Sequence, residues 1–208
     1  MTHTETVLHE HYQLTPGSDP LVRLQGHARA SLASLYHRLG FRNGAEIGVW
    51  NGEHAEILCQ YNPEVRLLCI DAWEDFAHRS RHPKPEAFVK VRLETERRMT
   101  KYPGAVIIKA FNEDAARNVA DGSLDFVFID AAHGYTDVIR DLKTWSPKVR
   151  SGGIVSGHDY ETTALGWPPE NGVKEAVHEF IDGAGIRPLY LLMGTPRDRW
   201  KSYFWVQP

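Results

Sequence analysis

Residues 124 to 160 read LDFVFIDAAHGYTDVIRDLKTWSPKVRSGGIVSGHDY. An apolar run ends in Asp130, and a loop carries His133 and Tyr135. An amphipathic helix follows, then a Gly152-Gly153 turn and a second apolar run ending at His158 and Asp159. Two buried strands joined by one helix make a βαβ unit, whose strands are parallel and whose crossover is right-handed. Asp130, His158 and Asp159 therefore leave the same edge of one sheet. Ligands of open α/β sheets bind outside the carboxyl ends of the strands, so polar groups gathered there are candidates for chemistry.

The chain has 208 residues, 42% apolar and 25% charged, the balance of an ordinary globular protein. Met1 to Pro20 is polar and broken by Pro16, Gly17 and Pro20, so residues 1–25 are expected as an extended arm without a core. Residues 26–208 then form a single domain, a size that suits one α/β unit. A net charge of -3 from 24 basic and 27 acidic residues offers no basic field for nucleic acid. No apolar run approaches the roughly 18 residues of a spanning helix, and the start of the chain lacks the pattern of a signal peptide. The expectation is a cytoplasmic enzyme acting on a small molecule, without nucleic acid or membrane as partner; the polar arm and the segment from Arg79 to Pro85 offer surface for a homodimer. Cys59 and Cys69 are the only cysteines and read as reduced, buried thiols.

On the N-terminal side of the βαβ unit, Ala30, Leu32, Leu35, Tyr36 and Leu39 recur at helical spacing before Gly40. Strands are expected at 45–49, 65–70 and 105–109, with helices near 53–61, 86–100 and 113–119. On the C-terminal side, a Pro- and Gly-rich loop over 161–171 with Trp167 at its middle is a candidate wall for a second substrate. A helix near 172–181 and a strand near 188–193 follow. Gly194 to Lys201 is too short for a crossover helix, so Ser202 to Val206 should return antiparallel. The sum is an α/β fold with a seven-stranded, mostly parallel sheet and an antiparallel last strand.

Glu46-Ile-Gly48-Val-Trp-Asn-Gly52 follows a strand and precedes a helix, so its glycines permit a tight turn and close approach of a ligand. The dinucleotide fingerprint G-x-G-x-x-G is not met. Asp71 ends the next strand, 19 residues past Gly52, near the spacing at which an acid holds a ribose diol. It serves equally as a cap for the chain from Ala72 onward. The turn and the acid together point to an adenosine whose phosphates are not required.

Residues 45 to 206 resemble, in order, the class I S-adenosylmethionine-dependent methyltransferases, and within them a small bacterial O-methyltransferase branch with three motifs. These are E-I-G-V-x-x-G, F-I-D-x-x-H-x-Y and G-G-x-x-x-x-H-D, matched here by Glu46–Gly52, Phe128–Tyr135 and Gly152–Asp159. The resemblance implies a three-layer Rossmann-like methyltransferase fold with S-adenosylmethionine over Glu46, Gly48, Val49, Asn51 and Gly52. It places Asp71 and Ala72 at the ribose, with Trp73, Phe111 and Asn112 flanking the adenine. One departure is that Glu53 and His54 stand where the family often has a small hydroxyl residue.

Methyl transfer to an alcohol needs help, because the hydroxyl pKa lies far above 7 and a metal can lower it. Asp130, His158 and Asp159 are placed to bind a divalent ion. Oxygen ligands suit Mg²⁺, whereas an imidazole among them tilts preference toward Mn²⁺ or another transition ion. His133 has a reference pKa near 6.5 that fits a general base and, with Asp130, forms the catalytic pair. The same residues have plain structural uses: Asp130 as a helix cap, His133 as packing, Asp159 in a turn. Within this branch the resemblance favours a sugar or glycoside hydroxyl as acceptor, with Trp50, Trp73, Tyr160 and Trp167 available to stack on it. A catechol or phenol acceptor is the alternative within the class, and a nicotinamide-dependent oxidoreductase the alternative outside it.

Overall fold

A computed structural model describes residues 1–15, 17, 19–74, 85–161 and 172–208. Among the described residues eight strands form one sheet: β1 (Leu21–Leu24), β2 (Asn43–Ile47), β3 (Arg66–Asp71), β4 (Ala105–Lys109), β5 (Leu124–Ile129), β6 (Val149–Gly157), β7 (Leu189–Leu192) and β8 (Ser202–Val206). Their order across the sheet is β1-β7-β8-β6-β5-β2-β3-β4. Only β8 is antiparallel, and it lies between β6 and β7. The expected antiparallel last strand is therefore present. The eighth strand is β1, which adds to the edge beside β7 in parallel register, Leu21 opposite Leu189.

The helices are α1 (His3–Tyr12), α2 (Arg29–Arg38), α3 (Glu53–Tyr61), α4 (Pro85–Met99), α5 (Asn112–Ala116), α6 (Tyr135–Trp145) and α7 (Val173–Ala184). Alternation along the strands sends side chains to opposite faces, and each face has its own helical cover. On one face Phe126 and Phe128 of β5 share a core with Leu8, Leu32, Tyr36, Leu58 and Met99 of α1 to α4. On the other, Val127 and Ile129 pack with Val138, Leu142 and Trp145 of α6 and with Ala176, Val177 and Ile181 of α7. The i, i+4, i+7 spacing of the three α6 residues makes the buried stripe that fixes that helix on the sheet.

Two local expectations are corrected. Residues 1–25 are not an extended arm: α1 opens with a capping box between Thr2 and Glu5, and Leu8 and Tyr12 enter the core. Gly152 and Gly153 are not a turn between elements but lie inside β6. Leu124 pairs with Val149 and Phe126 with Ile154, so the extra residues of β6 bulge out of the ladder there. Gly152 supplies the positive φ of 72° that the bulge requires.

Candidate active site at the strand ends

The carboxyl ends of β3, β2, β5 and β6 are drawn level by hydrogen bonds that continue the ladder past the strands. Gly48 N–H donates to Ile70 O at 2.8 Å, Asp130 N–H to Ile47 O at 2.8 Å and His158 N–H to Ile129 O at 3.1 Å. Asp130, His133, His158 and Asp159 consequently meet at one point. Asp159 takes a left-handed φ of 53°, a costly conformation for a residue other than glycine and one found where a site dictates the backbone.

Asp130, His133 and Asp159 each offer one ligand atom, and the three atoms lie within 4.8 Å of one another. His133 Nε2 is 3.4 Å from Asp130 Oδ1 and 3.1 Å from Asp159 Oδ2. Burial works against a charged His133, but the two carboxylates outweigh it and raise its pKa. His158 stands differently. Its Nδ1 faces Asp159 at 3.4 Å and Asp130 at 3.7 Å, and its Nε2 faces Asp198 at 3.6 Å. Burial alone would lower its pKa, yet hydrogen bonds to Asp159 and Asp198 and the charge of Asp130 push it up to about 9. Among the described residues, the ligand atoms that converge within 4.8 Å belong to Asp130, His133 and Asp159, whereas His158 stands beside this set with its two nitrogens toward Asp159, Asp130 and Asp198. Two carboxylates and one imidazole suit a divalent ion of the Mn²⁺ or Mg²⁺ kind that fills its remaining positions with water.

Sequence reasoning missed two members of this cluster. Arg29, at the start of α2, reaches Asp130 at 3.5 Å and Asp198 at 3.1 Å. Asp198 comes from the connection between β7 and β8. Neither stands in a motif, and only the tertiary fold brings them to the strand ends.

The glycine turn adjoins this cluster. Gly48 has φ 89°, and a Cβ there would stand 2.2 Å from the Asp130 carbonyl oxygen, so no larger residue fits. Trp50 is also left-handed, and its N–H donates to Asp71 Oδ2 at 2.9 Å. The Trp73 N–H donates to the other Asp71 oxygen at 2.7 Å, so the carboxylate ties the turn to the end of β3. Trp73 itself is buried and gives its indole N–H to Trp50 O at 2.8 Å, buttressing the turn from below. Asn51 Oδ1 accepts from Glu53 N–H at 3.2 Å at the opening of α3, while Val49 is buried and Ala72 half-buried. Phe111 is exposed and Asn112 half-buried; Ala110 N–H donates to Asp71 O at 3.1 Å, which sets them beside the acid.

Glu46 lies under the turn, 1% exposed, with Oε1 3.2 Å from His54 Nδ1. Burial pushes the Glu46 carboxyl well up and the His54 imidazole down to about 3, so both are driven toward their neutral forms. His54, the departure noted in the sequence, is thus the partner of Glu46. Tyr160 is buried, with its hydroxyl 2.6 Å from His178 Nε2, and Trp50 is the stacking candidate that stays exposed among the described residues. Trp167, most of the 161–171 loop and residues 79–84 lie outside the described residues.

A family model described as a methyltransferase domain matches residues 45–160. That span is more than half of the chain, which therefore belongs to the methyltransferase-domain family. This membership sets aside the nicotinamide-dependent oxidoreductase reading. The fold agrees with solved methyltransferase structures. An O-methyltransferase from Bacillus cereus in complex with SAH superposes with a TM-score of 0.64 at 15% identity, over 98% of this chain and 90% of that one. The O-methyltransferase TomG from Streptomyces achromogenes, in complex with SAM, gives 0.61 at 15% identity, over 100% of this chain and 91% of that one. A curated relative, the uncharacterized protein y4gI of Sinorhizobium fredii, is 26% identical over 137 residues. The match takes in 64% of this chain but only 15% of the length of that protein. No helix among the described residues is long and apolar enough to cross a membrane.

Proposed function

We propose that this chain transfers a methyl group from S-adenosylmethionine to a hydroxyl of a small polar acceptor, with a sugar or glycoside as the favoured class and a divalent cation assisting. The observation that carries the reading is the convergence of Asp130, His133 and Asp159 against the backbone of the glycine turn. The two solved O-methyltransferases with this fold that hold SAM or SAH support the cofactor.

The reaction is an in-line displacement in which an O–C bond forms as the S–C bond of the sulfonium breaks, and the cofactor leaves as a neutral thioether. Gly48 and Gly52 let the cofactor approach the backbone. Asp71 accepts from the ribose hydroxyls, and Phe111 and Asn112 border the adenine. Asp130 and Asp159 would hold the cation, with His133 as the third donor, and such an ion would lower the pKa of a hydroxyl brought to it, whose proton would leave to solvent. Arg29, Asp198 and His158 surround the carboxylates with fixed charge and keep them oriented. A rim of this polarity suits a polyhydroxylated acceptor better than a flat phenol. The two cysteines are free and buried, in keeping with a cytoplasmic setting.

The test is mass spectrometry of a panel of sugars, glycosides and catechols incubated with the protein and S-adenosylmethionine, with and without excess chelator. The expected result is a methylated sugar whose formation stops in chelator and returns with Mg²⁺ or Mn²⁺. Methylation confined to catechols would overturn the acceptor class, and full turnover in chelator would overturn the cation.

A further inference from the structure

Asp141 is a buried acid that the reaction does not use. It lies in the middle of α6, on the face turned to the sheet, and is 2% exposed. Both of its carboxylate oxygens stand 3.1 Å from Nδ2 of Asn112, the first residue of α5. Asn112 follows β4 directly, in the segment that Ala110 N–H fastens to Asp71 O at 3.1 Å. A buried carboxylate at the base of a helix face is costly unless its charge meets a donor, and among the described residues that donor is the Asn112 side-chain amide.

That amide has two ends of opposite character. An ionised carboxylate is acceptor-only, so it admits the NH₂ end of Asn112 and repels the oxygen end. Burial pushes the Asp141 carboxyl up to about 6 with the Asn112 hydrogen bond opposing, and the approach of Nδ2 to both oxygens is the contact that an acceptor-only carboxylate makes. Asn112 Oδ1 is thereby turned away from α6 as a fixed acceptor.

We infer that Asp141 is a positioning residue that locks the Asn112 amide with its oxygen toward the purine, so that the site selects a 6-amino base over a 6-oxo base. This rests on the cofactor reading above, which sets the adenine beside Phe111 and Asn112. The exocyclic amine of adenine donates to an acceptor at that point, whereas the oxygen of hypoxanthine faces it as a second acceptor and leaves both unpaired. Asp141 touches no ligand and acts through Asn112.

The test is calorimetric titration of the full chain with S-adenosylhomocysteine and with S-inosylhomocysteine. Wild-type protein is expected to prefer the adenosyl compound by tenfold or more, about the effect of one mispaired buried polar group. Asp141→Asn presents either an acceptor or a donor to Asn112, frees the amide to flip, and is expected to lower that preference by about tenfold. Asn112→Ala is expected to lower it similarly, and the double substitution to add nothing further. An equal loss of affinity for both ligands in Asp141→Asn marks a merely structural residue and overturns the inference, as does an unchanged preference. Should Asp141→Asn fail to fold, Asn112→Ala carries the test: retention of the full preference overturns it. Wild-type protein that binds neither compound removes the cofactor reading itself, and the inference falls with it for that separate reason.

Discussion

His158 is the residue on which the chemistry of the site turns. Three carboxylates face its two nitrogens, and its pKa is driven to about 9 against the pull of burial. A histidine whose folded pKa exceeds its unfolded value of about 6.5 contributes stability that is fully present below that value and lost as pH rises through the folded one. In chelator, thermal melts should therefore fall between about pH 6.5 and pH 9, and the fall should be shallower in His158→Gln. Parallel curves for the two proteins would remove the imidazolium from the account. For Asp130→Ala and Asp159→Ala the expectation is a loss of chelator-sensitive turnover of about a hundredfold or more, with S-adenosylhomocysteine binding intact. His133→Ala should lower turnover more than acceptor affinity, read as kcat against KM. The sequence displayed all four residues at one sheet edge because strand ends and βαβ handedness are periodicity-level facts. It did not tell which imidazole joins the carboxylates: His133 is in a loop and His158 at a strand end, and only the side-chain directions separate a shared ligand atom from a charge partner.

At the scale of elements, the glycine turn and the first helix make opposite points. The turn was legible, since glycines after a strand announce close approach, and the structure supplies the reason: a Cβ on Gly48 would meet the Asp130 carbonyl. Gly48→Ala should cost about 2 kcal/mol or more in chemical denaturation and abolish cofactor binding, since both clash and positive φ act on it. Wild-type affinity in that variant would separate the turn from the cofactor. The first helix was not legible. Its ten residues are mostly polar, and only Thr4, Leu8 and Tyr12 are buried, one per turn, too sparse a stripe to separate from a polar arm. Leu8 is fully buried, so Leu8→Ala should destabilise the domain by about 2–5 kcal/mol. A change within about 0.5 kcal/mol is what a loose arm would show. The Gly152-Gly153 pair misled for a related reason: a bulge and a turn draw on the same residue types, and the strand partner decides between them.

For the whole molecule, the site is assembled from segments as distant as Arg29, Asp130 and Asp198, joined by ion pairs of 3.5 Å and 3.1 Å to one guanidinium. Local pattern predicts strands and helices, and their alternation predicts the parallel sheet, but it carries no information about which loop of a late hairpin returns over the strand ends. That is why the meeting of Asp130 and Asp159 at the strand ends is legible in the sequence while the approach of Arg29 and Asp198 is not. The central claim is that Asp130, His133 and Asp159 hold a divalent cation beside the methyl donor. Titrating Mn²⁺ into the protein saturated with S-adenosylhomocysteine, and counting bound ion by electron paramagnetic resonance, tests it most directly. One ion per chain is expected in the wild type and none in Asp130→Ala or Asp159→Ala; a wild type that binds no ion, or variants that bind it unchanged, would refute the cation site.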